Sequence, residues 1–159
     1  MNRKLNIYHA NAKGTGSALG IELLPAVGSC DGQVILTLAN QKAISDGKNG
    51  EPTFPQFDHL NGICLCLDPL EVEKIIEVVE GSVESINDGK GIFNVSAGVL
   101  STFKFSHVID PVCGYRLEIE KSFNGETFKV GIFLSSSEGN MLAQGFKASM
   151  GLLLFGENK

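Results

Sequence analysis

Apolar residues recur along this chain with two different periods, and the switches between them mark out its elements. Ala18–Leu24 and Gln33–Gln41 are rich in strand-forming residues and are bounded by Gly, Pro and an Asp31-Gly32 turn signal. Ser45–Pro55 is polar, with Asp46-Gly47 and Asn49-Gly50, and reads as a loop. Gly62–Leu67 then alternates: Ile63, Leu65 and Leu67 face one way, Cys64 and Cys66 the other. From Pro69 the period lengthens. Val72, Ile75, Ile76 and Val79 recur at helical spacing, Asp68 is placed to cap, Pro69 suits the first turn, and Gly81 closes the helix, predicting a helix over 69–81.

The same order then returns. Lys90–Val95, Val99–Val108, Gly114–Lys121 and Thr127–Leu134 read as strands, with an Asn124-Gly125 hairpin turn between the last two. Ser135 with Glu138 three residues on forms a capping box for a helix over 136–155. Strand runs that each close with one helix predict an α+β fold: two antiparallel sheets of about four strands, each followed by a helix, with the helices gathered on one side. The 159 residues suit one domain, made of halves at about 1–82 and 88–156. The second helix is apolar beyond one stripe: Met141, Leu142, Phe146, Met150, Leu152, Leu153, Leu154 and Phe155. A helix covering one sheet needs only about a third of its circumference apolar, so something besides its own sheet should cover it.

The net charge of −5 argues at first against a polyanionic partner. Its distribution changes that. Residues 68–88 hold seven acids against Lys74, a net of −6, which leaves the remainder of the chain at +1. No segment is apolar enough to span a bilayer, and the basic Met1–Leu5 stretch is not followed by an apolar run, so the expected setting is cytoplasmic. Of the four cysteines, Cys64 and Cys66 are expected to be small buried hydrophobes, with Cys30 and Cys113 isolated. A single C-x-C without a partner pair is not a zinc pattern, and no cofactor or metal is expected.

Enzymatic readings lack their context. Gly14-Thr15-Gly16 is followed by a strand, whereas a phosphate-cradling loop leads into a helix and, in nucleotide triphosphatases, carries Gly-Lys-Ser/Thr. Cys113 and His107 are six residues apart across an Asp110-Pro111 turn, so a cysteine–histidine pair could form, but no third orienting group is evident. His59, in Phe57-Asp58-His59-Leu60, reads as a structural histidine at a loop-to-strand junction. No enzyme is expected.

Tyr8–Leu19 carries Lys13-Gly14, then Ala18-Leu19, and leads into a strand with Glu22 and Pro25. This resembles the Lys-Gly-Lys-Ala-Ala-Leu motif of the Whirly family of single-stranded-DNA-binding proteins. Lys13, Gly14, Ala18 and Leu19 match it, Thr15 stands where the second lysine would be, and Gly16-Ser17 adds length. The duplicated strand–helix order is similar to that family too, and to guide-RNA-binding, Pur-alpha and positive-cofactor-four proteins. The plant members' transit peptide and acidic tail are missing, which points to a bacterial or phage relative.

The resemblance implies sequence-tolerant binding of single-stranded DNA, or RNA, across sheet surfaces of a homotetramer. Bases would stack on aromatics near strand ends or loops, Tyr8, Phe54, Phe57 and Phe93; phosphates would meet Lys13, Lys42, Lys90 and Lys104 and the amides and hydroxyls of Gly14, Thr15, Gly16 and Ser17. The competing class is an oligomeric structural or interaction protein of the same fold. Convergence of Lys13, Lys42 and Lys104 on one exposed sheet face with an aromatic separates the two.

Overall fold

The computed structural model describes residues 4–44 and 55–157. The first sheet contains β1 (Lys4–His9), β2 (Ser17–Leu24), β3 (Gln33–Ile44), β4 (Pro55–Phe57) and β5 (Ile63–Leu67). Its order is β1-β2-β3, and β4 and β5 share the fourth position: β5 pairs with Val34–Leu38 and β4 with Gln41–Ile44, across a register shift between Gln41 and Ala43. All pairings are antiparallel. Helix α1 (Pro69–Val79) follows. The second sheet runs β6 (Ile92–Ser96), β7 (Val99–Val108), β8 (Gly114–Phe123), β9 (Glu126–Ser135), a four-stranded antiparallel meander closed by α2 (Ser136–Phe155).

This is the α+β, two-sheet, two-helix class that the periodicity predicts. Three local expectations change. Lys4–His9 forms an edge strand that alternation alone does not single out, because only Ile7 in it is buried. The tight turn between β2 and β3 lies at Gly28-Ser29, where Val27 and Cys30 exchange both backbone hydrogen bonds at 3.0 Å and Gly28 has φ +61°. Asp31-Gly32 lies after it, and Gly32 serves a packing role described below. Cys64 and Cys66 are exposed, because Ile63, Leu65 and Leu67 take the core face of β5 and period two sends the cysteines outward.

The inner faces of the two sheets and the apolar stripes of both helices make one core. Leu19, Val34, Leu36 and Leu38 of the first sheet meet Phe103, Phe105, Leu117, Ile119 and Leu134 of the second, with Val72, Ile75 and Ile76 of α1 and Leu142, Phe146 and Leu153 of α2. Both helices start in full capping boxes. Asp68 accepts from Glu71 N–H (2.8 Å) while Glu71 accepts from Asp68 N–H (3.0 Å); Ser135 and Glu138 do the same at 3.1 and 2.9 Å.

The far end of α2 is capped by the other half of the chain. Ala26 N–H donates to Leu152 O (3.0 Å) and Gly32 N–H to Leu153 O (2.7 Å), so two helix-end carbonyls are met by the β2–β3 connection. A side chain at 32 would lie 2.8 Å from the Leu153 Cα, which explains the glycine. At the near end, His9 Nε2 lies 2.8 Å from Glu138 Oε2, joining β1 to the first turn of α2. Tyr115 holds the centre. Its ring stacks on Phe105 at 5.6 Å, its hydroxyl donates to Val79 O at 3.3 Å, and it lies against Gly139 of α2 where a Cβ would collide. Lys147 of α2 pairs with Glu80 just past α1.

Gly139→Ala should therefore destabilise the fold by about 1–3 kcal/mol, the usual cost of overpacking, read as a lowered urea midpoint at unchanged slope. A second outcome concerns acid. Burial opposes ionisation of Glu138, but hydrogen bonds from His9 and Ser135 outweigh it and hold the carboxyl below its ordinary value of 4.5. A depressed carboxyl contributes stability that is present above the ordinary value and is lost as pH falls through the lowered one. Glu138→Gln should be less stable than the parent at pH 7, and the difference should close as pH drops below 4.5. Denaturant titrations of both proteins across that range check it.

Candidate nucleic-acid interface

Cross-strand register builds the outer face of the first sheet in rows. Tyr8, Ala18 and Ala39 form one row; Asn6, Gly20, Thr37 and Cys64 the next; Lys4, Glu22, Ile35 and Cys66 a third. The middle of this face is made of small residues, and aromatics stand over one end. The Tyr8 ring, 55% exposed, lies 5.4 Å from Phe57, which lies 6.3 Å from His59. Between them and the strands is an open cavity of about 180 Å³ lined by Lys4, Asn6, Tyr8, Gly20, Thr37 and His59. Lys4 and Glu22 form an ion pair of 3.4 Å at its margin.

The loop between β1 and β2 lies at the same end and is braced by one side chain. Gln41 is buried and its Oε1 accepts from Asn11 N–H (3.0 Å) and Gly16 N–H (3.2 Å), while its Nε2 donates to Asn11 O (3.1 Å). Asn11 in turn accepts from Thr15 N–H (3.0 Å) and donates to Thr15 Oγ1 (2.9 Å). Gly14 N–H donates to Asn11 O at 3.3 Å.

This corrects the expectation that the amides of Gly14 and Gly16 are free for phosphates. The loop spends them on itself, because a seven-residue hairpin connection must satisfy its own backbone. Gly16 and Ser17 are buried, so neither presents a group to solvent. Gly16 is required by close approach, since a Cβ would lie 2.7 Å from Gln41 Oε1. Lys13, Gly14 with φ +72°, and exposed Thr15 remain on the outside of the loop.

Lys42 follows Gln41 on β3 and is exposed. Asp58 sits within its electrostatic reach. The Asn61 side-chain amide, at 2.8 Å, is the main cause holding the Asp58 carboxyl below its usual range, and Lys42 adds a smaller attraction. Lys13 and Lys42 thus belong to the same end of the first sheet as Tyr8 and Phe57. Phe54 lies outside the described residues.

Lys104, Phe93 and Lys90 belong to the second sheet. On its outer face Phe93 pairs with Thr102 and Lys104 with Glu118. Phe93 is 60% exposed. Arg116 and Lys129 both converge on Glu118, at 2.6 and 3.4 Å. Burial would raise the Glu118 carboxyl, but these two cations outweigh it and hold it low. Lys90 is exposed in the connection into β6. The predicted residues therefore divide between two sheets: Lys104 does not join Lys13 and Lys42, so the three-lysine convergence expected of a nucleic-acid binder is not met, and only the pair Lys13 and Lys42 shares a sheet end with an aromatic group.

Phe57 stands where its place in a polar loop made it a stacking candidate, and His59 is the contributor that sequence reasoning set aside, as a structural histidine. Its spacing of two from Phe57 was the available signal. Arg116 and Lys129 were equally legible as the off-core positions of β8 and β9. His107 Nε2, near the end of β7, and Cys113 Sγ, in the exposed connection to β8, do meet at 3.5 Å. Among the described residues no three metal-ligating side chains gather.

These two sheets and two helices make a Whirly-like fold. WHY1 from Arabidopsis thaliana superposes with a TM-score of 0.77 at 16% identity, covering 98% of this chain and 86% of that one. The plant transcriptional regulator PBF-2 gives 0.72 at 18% identity, over 96% and 82%. A guide-RNA-binding protein complex bound to a guide RNA gives 0.63 at 14% identity, over 94% and 90%. No protein-family model matches the sequence, and no curated protein matches it.

Proposed function

We propose that this chain binds single-stranded nucleic acid, DNA in the first place, with little sequence preference and without catalysis. The observation that carries the reading is the Tyr8–Phe57–His59 aromatic group over a floor of small residues, at the sheet end that also bears Lys13 and Lys42. Unpaired bases offer flat faces that stack on such rings whatever their identity, and a duplex hides those faces. The two lysines supply phosphate neutralisation. Phe93 with Lys104 gives the second sheet a smaller version of the same pairing. The fold likeness to a guide-RNA-binding complex favours testing RNA as the second ligand.

Tyr8→Ala should weaken single-strand binding by about 1–3 kcal/mol, as loss of one stacking plane does, with the salt dependence unchanged. Lys13→Ala should weaken binding to all sequences alike and flatten the salt dependence by about one phosphate contact. Fluorescence anisotropy with a labelled oligonucleotide at two salt concentrations, against duplex and against RNA of the same sequence, measures all of this. Absence of single-strand binding by the parent protein at low salt would refute the function. Unchanged affinity in both variants would refute the site.

We further propose that the binding form is a homo-oligomer, by resemblance a tetramer. An apolar groove of about 450 Å³ runs between β1–β2 and α2, lined by Leu5, Leu23, Met141, Leu142, Phe146 and Leu152. Phe155 is 84% exposed near its end. A surface of this kind calls for a covering partner, and a second copy supplies a self-complementary one. Light scattering should give a multiple of the 17.0 kDa chain mass, and Met141→Glu should lower it. A monomer at micromolar concentration in the parent protein would count against the assembly.

A further inference from the structure

All four cysteines are free and exposed, yet their surroundings differ. Cys64 and Cys66 lie on a strand face, where burial is the main cause that pushes the Cys66 thiol up, away from its reactive form. Cys30 closes the Gly28-Ser29 turn through its backbone. Cys113 alone among the four has an imidazole nitrogen at hydrogen-bonding distance, His107 Nε2 at 3.5 Å.

That pairing is held from several sides. His107 is the partner of Tyr115 across β7–β8, and its ring lies 5.4 Å from the Tyr115 ring, which is itself locked between Phe105 and Gly139. The His107 N–H donates to Glu84 O at 2.8 Å. On the other side, Ser136 Oγ donates to Cys113 O at 3.3 Å, fixing the cysteine backbone against the first turn of α2. The base is therefore placed by packed elements on β7, half-buried, and the nucleophile sits on a connection open to solvent.

We propose that Cys113 and His107 form a peroxide-reactive thiol site, a modification site separate from the nucleic-acid faces. The thiol hydrogen lies toward Nε2, and an approaching hydroperoxide meets sulfur from the solvent side. Sulfur attacks the nearer peroxide oxygen. An S–O bond forms and the O–O bond breaks. Sulfur is oxidised by two electrons to the sulfenic acid while the peroxide is reduced. The thiol proton passes through His107 to the leaving oxygen, which departs as water or an alcohol, and the imidazole is regenerated neutral. A low-molecular-weight thiol would return Cys113 to its starting state through a mixed disulfide.

The test uses the reduced full-length protein, substoichiometric hydrogen peroxide and a dimedone-type trap for sulfenic acid, with each cysteine quantified by mass spectrometry at several pH values. Cys113 should label about a hundredfold faster than Cys30, Cys64 or Cys66 near neutral pH, the low side of what a positioned base contributes. In His107→Gln its rate should fall to theirs, and the pH dependence of that rate should differ from the parent's. Equal labelling of all four cysteines in the parent protein overturns the proposal even if the variant does not fold. A Cys113 rate and pH profile unchanged by His107→Gln in a folded variant overturn it as well.

Discussion

Period-two alternation of the strands is the constraint on which the rest of this structure depends. Each strand owes one side to the core, and the other side is whatever remains. Ile7, Leu19, Leu36 and Leu38 fill the inner face of the first sheet, so Tyr8, Ala18, Gly20 and Thr37 are committed to the outer one. In the second sheet Phe103, Phe105, Leu117 and Ile119 leave Lys104, Arg116 and Glu118 outside. A slip of one residue would bury the charges and expose the core, which makes the register strongly specified. The candidate interface is in this sense the complement of the core.

The two halves share one apolar core, and a few close approaches fix how they meet. Gly139 lets Tyr115 reach between the helices, and Gly32 lets the β2–β3 connection reach the end of α2. Unsatisfied carbonyls at a helix end must find donors, and here they find them in the other sheet. The same helix, tied at both ends to the first sheet, leaves Met141, Leu152 and Leu154 partly uncovered along its length.

Electrostatics are arranged by segregation. A chain of net charge −5 gathers its acids over 68–88, along α1 and the connection after it. The outer face of the second sheet is left with Lys104, Arg116 and Lys129, partly balanced by Glu118, and one end of the first sheet with Lys13 in its loop and Lys42 on β3. A phosphate responds to the local potential within roughly 8–10 Å under ordinary salt, so net acidity is compatible with a cationic sheet end.

Fold class, both helices with the Asp68 cap of the first and the capping box of the second, the strands of the second half and the Asn124-Gly125 turn were legible in the sequence, since each rests on interactions between residues close in the chain. Ser135 and Glu138, three apart, or Ile63, Leu65 and Leu67, two apart, carry their own structural meaning. The edge strand β1 was not legible, because only Ile7 of it is buried and its pairing with β2 crosses a loop. Nor was the fate of the Gly14–Ser17 amides, which depends on Gln41 reaching back from β3. Tyr8 could be named as a stacking residue from its place beside Lys13-Gly14, and Phe57 from its polar loop, but not their meeting, nor the place of His59 beside them. They come together across strands nearly fifty residues apart, and only tertiary packing decides which distant side chains share a face.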